Sequence, residues 1–139
     1  MSWTRSHTQL TTATTDQLWR RWINIDYWQL DDPDVEWARA DGAPAQGITG
    51  VIKSHGAPAQ KFVFTRVVPQ RQMNFLFKLP LATMEITHDM RPADEGVATT
   101  HGVVIEGPLA PVYGFLVGRK IAAGLPGVVR RVTAGALEI

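Results

Sequence analysis

Thr83-Met84-Glu85-Ile86-Thr87-His88-Asp89-Met90 and Val97-Ala98-Thr99-Thr100-His101-Gly102-Val103-Val104-Ile105-Glu106 flank the turn-forming run Arg91-Pro92-Ala93-Asp94-Glu95-Gly96. Both flanks alternate apolar and polar residues, the signature of strands with one covered face. A four-residue loop, Ala93 to Gly96, fixes the register of the hairpin they form, and register assigns every side chain to a face. Met84 then lies opposite Ile105, Ile86 opposite Val103, His88 opposite His101 and Met90 opposite Thr99. That face is apolar apart from two histidines and a threonine. Glu85, Thr87, Asp89, Thr100 and Glu106 occupy the other face and belong in water. Two imidazoles are thus placed as cross-strand neighbours on the inward surface, with Cβ atoms ~5 Å apart.

The same logic applies upstream. Gln60–Val68 and Gln72–Leu79 alternate in the same way, and Pro69-Gln70 between them suits the corners of a tight hairpin. Phe62 is then expected opposite Phe77, Phe64 opposite Phe75 and Arg66 opposite Met73, all on the inward face. Val63, Thr65, Asn74, Leu76 and Lys78 make a more polar outer face. Further strands are read at Ser2–Thr11, Val35–Ala40 and Gly47–Ser54, separated by Asp41-Gly42, Ala43-Pro44 and His55-Gly56-Ala57-Pro58. Connections this short favour an antiparallel meander.

The two ends of the chain read as helical. Thr14 and Gln17 have capping-box spacing, Asp16 sits in the first turn, and Leu18, Trp19, Trp22 and Ile23 form one apolar face. A further short turn and a loop follow through Tyr27, Trp28 and Pro33. After Gly107-Pro108, Val117, Ile121, Val128 and Val132 continue a helical stripe, which Pro126 is expected to kink. The order is strand, one or two short helices, six strands and a long C-terminal helix. An α+β architecture satisfies it: a curved antiparallel sheet of about seven strands wrapped around that helix, in a single domain over residues 1–139. If the sheet curls without closing, apolar side chains line a cavity between sheet and helix.

Composition narrows the function. The chain has 139 residues, 45% of them apolar and 19% charged, which excludes intrinsic disorder. Its net charge is +1 with no run of Lys or Arg, so neither nucleic-acid binding nor a polybasic membrane patch is expected. Cysteine is absent, which removes disulfides, zinc ribbons and thiol nucleophiles. The N-terminal residues lack the apolar core of a signal peptide, and apolar runs break well short of the roughly 20 residues a membrane helix requires. The expectation is a soluble, cytoplasmic domain without membrane insertion, as monomer or homodimer.

Residue roles follow from these faces. His88 and His101 have two readings. They are a polar spot in an apolar pocket, able to hydrogen-bond a ligand or act as acid and base near neutral pH; or they satisfy each other, a water and Thr99. Two histidines fall short of the ligands zinc usually takes, so neither a metal nor another cofactor is expected. Phe62, Phe64, Phe75, Phe77 and Trp28 would offer a ligand apolar area, and Met90 and Thr99 are also read as ligand contacts. Trp22, Tyr27 and Trp28 form either an aromatic lid over it or ordinary core. Trp37 is read as core. Arg66 either recognises a carboxylate or carbonyl at the pocket mouth or snorkels at the sheet rim. His7 and His55 are expected in solvent. No carboxylate pair, nucleophile elbow or phosphate-binding glycine loop is present, which disfavours hydrolysis by a nucleophile.

Several stretches resemble a known family. Ala13-Thr14-Thr15-Asp16-Gln17-Leu18-Trp19 leading to Asp26-Tyr27-Trp28 is similar to the opening of the START-like (SRPBCC) polyketide cyclase/dehydrase and lipid-transport superfamily. Glu85-Ile86-Thr87-His88, Gly96 to His101, Gly107-Pro108-Leu109-Ala110-Pro111-Val112-Tyr113-Gly114 and Gly124-Leu125-Pro126 resemble its bacterial members. The resemblance spans nearly the whole chain. It implies a helix-grip fold with a deep cavity, and either binding of a hydrophobic small molecule (lipid, aromatic or polyketide-like) or a cyclase/dehydratase chemistry. In the latter, His88 or His101 would remove a proton beside a carbonyl while the other, protonated, polarises the oxygen. The family has no invariant catalytic set, so no further role carries over.

Overall fold

The hairpin that opens the sequence reading forms in its expected register. His88 pairs with His101, Met84 with Ile105, Ile86 with Val103 and Met90 with Thr99. Ala93 pairs with Gly96, so only Asp94 and Glu95 remain as the loop. The computed structural model describes residues 1–139. Strands β1 (Ser2–Thr11), β2 (Val35–Ala40), β3 (Thr49–Ser54), β4 (Gln60–Val68), β5 (Gln72–Leu79), β6 (Ala82–Ala93) and β7 (Gly96–Glu106) make one antiparallel sheet, in the order β1-β7-β6-β5-β4-β3-β2. Between β1 and β2 lie α1 (Thr15–Ile23), a 3₁₀ turn at Ile25–Tyr27 and α2 (Trp28–Asp31).

Helix α1 starts as its sequence dictates. The Thr14 side chain accepts from the Gln17 N–H at 3.1 Å, and the Gln17 side chain accepts from the Thr14 N–H at 2.8 Å. This reciprocal cap satisfies two backbone donors that a helix start leaves open. Asp16 pairs with Arg20 one turn later. Leu18, Trp19 and Trp22 are buried against the sheet.

The C-terminal helix departs from a simple stripe. Residues Ala110–Ala136 run as α3 (Ala110–Tyr113), a wide π segment (Gly114–Gly118) and α4 (Arg119–Ala136), and α4 continues through Pro126. The buried face of α4 is Leu125, Val129, Val132, Thr133 and Ala136. The expected stripe therefore fails at Val117, which lies outside with Phe115 and Leu116. A π turn spaces residues more widely than an α turn, so it rotates the preceding residues out of phase with those after it. By length and composition this helix would suffice to cross a membrane, contrary to the expectation that apolar runs break too early; it packs against β1, β7 and α1.

Arg66 is the second correction. Gln70 takes a left-handed φ of 59°, and the β4–β5 loop holds Pro69, Gln70 and Arg71, one residue more than a tight corner. A bulge between Phe64 and Arg66 absorbs the extra residue. Phe64 still faces Phe75, but Val67 faces Met73 and Arg66 faces Asn74. Arg66 is therefore exposed on the outer surface, where it donates to Gln72. We expect Arg66→Ala to shift stability by no more than about 0.5 kcal/mol in urea unfolding, as for an ordinary surface residue. Another bulge, at Glu36, leaves Trp37 half-buried beneath the Arg39 guanidinium and outside the main core.

Candidate functional site

The inward face of β4 to β7 carries two adjoining surfaces, one aromatic and one polar. Phe62, Phe64, Phe75 and Phe77 are all buried, as their alternation predicts. Trp28 closes over them, stacked on Phe75 at 4.8 Å between ring centres and 5.7 Å from Phe62. Its indole N–H donates to the Trp22 carbonyl at 2.9 Å, which fixes the ring over the phenylalanines. Gly50 in β3 lies beneath this cluster; any side chain there would collide with the Phe62 ring and the Arg39 carbonyl.

Next to the aromatic surface sit the two histidines, 4.5 Å apart between ring centres. Trp22 covers both, 5.5 Å from His88 and 5.9 Å from His101. His88 Nδ1 lies 2.7 Å from the Met73 carbonyl oxygen, which accepts only if Nδ1 carries the proton. The lone pair of His88 is thereby assigned to Nε2. Desolvation pushes this imidazole down to about 4, against the weaker opposing pull of the Met73 carbonyl. His101 is held well below the ordinary range, first by burial and then by its histidine neighbours. Both shifts favour neutral imidazoles near neutral pH, which weighs against a protonated member of the pair.

Three polar atoms around this pair have no hydrogen-bond partner within the protein: Trp22 Nε1, Thr99 Oγ1 and His101 Nε2. Burying such a group unpaired costs roughly 1–3 kcal/mol. Finding three in one place is therefore a local expense of several kcal/mol, in a core otherwise built from apolar side chains. Met90, fully buried beside Thr99, completes the wall.

Two positions fall elsewhere. Tyr27 lies away from the histidines, with the Arg21 guanidinium 3.9 Å above its ring, and borders a solvent-open hollow of about 740 Å³ with Ile23, Ala38 and Arg39. Arg66 is outside, as described. Conversely, His7, expected in solvent, is half-buried on the inward face of β1 opposite His101. It extends the pair to a row across three neighbouring strands. No turn joins β1 to β7, so no local signal announces that register. No group of three or more His, Cys, Asp or Glu side chains is placed to hold a metal ion.

No protein-family model matches this sequence, and no curated protein matches it. Solved structures do. The di-domain ARO/CYC StfQ of the steffimycin biosynthetic pathway superposes with a TM-score of 0.80 at 13% identity, over 99% of this chain and 51% of that one. The present chain thus spans about half the length of that protein. Norcoclaurine synthase from Thalictrum flavum, solved with dopamine and hydroxybenzaldehyde, gives a TM-score of 0.74 at 14% identity over 99% of this chain and 88% of that one. Ara h 8.0201 gives 0.75 at 10% identity over the whole of both chains. This is the START-like helix-grip fold.

In this START-like fold the short helices are anchored by a charged clamp. Arg21 donates to Asp31 twice, at 2.9 and 2.6 Å, and both side chains are nearly buried. Its guanidinium also lies against α4 at Gly135, where a Cβ would strike it. The clamp thus joins α1, α2 and α4, and its two residues lie near the two covering tryptophans in sequence.

Proposed function

We propose that this protein binds a hydrophobic small molecule, of lipid, aromatic or polyketide-like character, between the sheet and the C-terminal helix, and reads one polar group on it through the histidine face. The observation that carries this reading is the set of three buried, unpartnered polar atoms at Trp22, Thr99 and His101 beside the free lone pair of His88. Together they offer an indole donor, a hydroxyl and two neutral imidazoles. That set suits a neutral oxygen group, a phenol or carbonyl, better than a carboxylate or phosphate, because no cation faces it. Phe62, Phe64, Phe75, Phe77, Met90 and Trp28 would contact the apolar body at roughly 25 cal/mol per Å² buried. Trp22 and Trp28 cover these faces, so a ligand that touches them would have to displace the two indoles. The reading is that of a soluble, cytoplasmic carrier or sensor. Structural likeness to proteins described as a cyclase and a synthase is compatible with it but does not assign a reaction.

The test compares 2-naphthol with naphthalene by titration of intrinsic tryptophan fluorescence. The phenol is expected to bind about three- to tenfold more tightly, the worth of one net hydrogen bond. Thr99→Val and His101→Phe should reduce that preference while leaving naphthalene affinity unchanged. Equal affinity for the two compounds in the native protein would overturn the assignment.

A second reading, proton abstraction beside a substrate carbonyl, draws support from the fixed His88 tautomer, which leaves Nε2 free as a base. An imidazole held near 4 is a weak base at neutral pH, so this reading stands second.

A further inference from the structure

Further along β1 from His7, that strand and the start of the C-terminal helix build a second feature. The Trp3 ring lies flat on Gly114 and Gly118, where a Cβ at either position would collide with it. The Arg5 guanidinium stacks on the Trp3 ring at 4.5 Å, and Arg119 stacks on Phe115 at 4.9 Å. These four residues, with Pro111, Ala122 and Ala123, line an open groove of about 490 Å³. It contains two guanidiniums and no carboxylate, and neither arginine joins an ion pair. Arg5 donates one N–H to the Thr4 carbonyl at 2.8 Å; a guanidinium lying on an aromatic face keeps its remaining N–H groups available to an oxyanion.

The surroundings are apolar and uncovered. Of nine large apolar residues exposed in the whole chain, Val112, Phe115, Leu116 and Val117 fall in this one stretch, with Phe115 65% and Leu116 64% exposed. Leu81, 67% exposed, is tied to the same end because its carbonyl accepts from the Leu109 N–H. The π segment is what turns Phe115, Leu116 and Val117 outward.

We propose that this end of the molecule is a docking surface for a bilayer containing anionic phospholipid, with Arg5 and Arg119 on lipid phosphates and Phe115 and Leu116 among the upper acyl chains. Charge and apolar surface side by side on one helix are what the membrane interface selects. A free anion would satisfy the arginines but leave the exposed apolar residues in water. A second copy docked symmetrically would bury the apolar residues but gather four arginines and no groove carboxylate into one interface. A bilayer satisfies both features, and the proposal is independent of the ligand assigned to the histidine face.

Co-sedimentation of the whole protein with vesicles tests it, using phosphatidylcholine alone or mixed with phosphatidylserine. Binding is expected to the mixed vesicles at low salt, to weaken with added salt, and to be slight on phosphatidylcholine. Arg5→Gln combined with Arg119→Gln should lower partitioning roughly 30-fold, at the usual worth of two basic residues near an anionic surface. Phe115→Ser with Leu116→Ser should lower it roughly tenfold or more. All four side chains are at the surface, and an unchanged thermal melt establishes that the variants fold. No binding to mixed vesicles, or binding indifferent to both double variants, overturns the proposal. Soluble glycerophosphoserine binding as tightly as vesicles overturns it in favour of a free anion. A dimer in sedimentation equilibrium that Phe115→Ser dissociates overturns it in favour of self-association.

Discussion

Asp31→Ala is expected to destabilise the protein by about 3–5 kcal/mol, the usual consequence of removing one partner from a buried ion pair. The Arg21 guanidinium would then remain enclosed between the Tyr27 ring and α4 with no counter-charge. For a domain of this size the loss should lower Tm by roughly 10 °C or more. The double variant Arg21→Met with Asp31→Leu removes both charges and should recover most of the difference, because desolvation of the pair offsets much of its attraction. Equal losses in the single and double variants would show that the clamp acts through shape alone. The effect should also reach the candidate site. Arg21 precedes Trp22, Asp31 follows Trp28 by less than a turn, and the Trp28 N–H is held by the Trp22 carbonyl. Loosening the clamp is therefore expected to raise the mobility of both indoles, visible as loss of near-ultraviolet circular dichroism before global unfolding.

Acid should destabilise the fold by about 3 kcal/mol between pH 6.5 and 4 through His88 alone, with His101 adding in the same direction. The sign follows from the direction of the shifts. In the unfolded chain an imidazole takes up its proton near pH ~6.5, whereas His88 in the fold does so only near 4 and His101 is likewise held down. Within that window the unfolded state binds more protons, so stability rises with pH there and is complete above it. Asp32 acts in the opposite direction, because burial raises its carboxyl. Glu36, lowered by its hydrogen bond to Lys53, is fully exposed and contributes little. Urea midpoints across the window should fall for the native protein and fall less steeply for His88→Gln. Parallel curves would mean that the imidazoles are solvated and would remove the basis for a neutral histidine face.

How much of this was legible beforehand differs by element. The β6–β7 hairpin was readable because its two strands are joined by a turn: local turn geometry sets register, and alternation then identifies the inward face. The same holds for the reciprocal cap of α1, whose residues lie three apart. The β4–β5 hairpin was readable as far as Phe64 and Phe75. It failed at Arg66, because a one-residue difference in the loop and a compensating bulge are equally compatible with the alternation. The stripe on the C-terminal helix failed at Val117 for a related reason. A single wide turn alters phase without altering composition.

By itself, then, the sequence determined the strand order along the chain, the aromatic inward face and the pairing of His88 with His101, all products of short-range periodicity and turn chemistry. The tertiary structure alone decided what covers them. Trp22 rests on both imidazoles, His7 comes opposite His101, and Arg5 shares a groove with Arg119. Each of these joins residues distant in sequence, with no turn to fix their register. Their positions are set by how the sheet curls onto two separate helical segments, and periodicity carries no information about that packing.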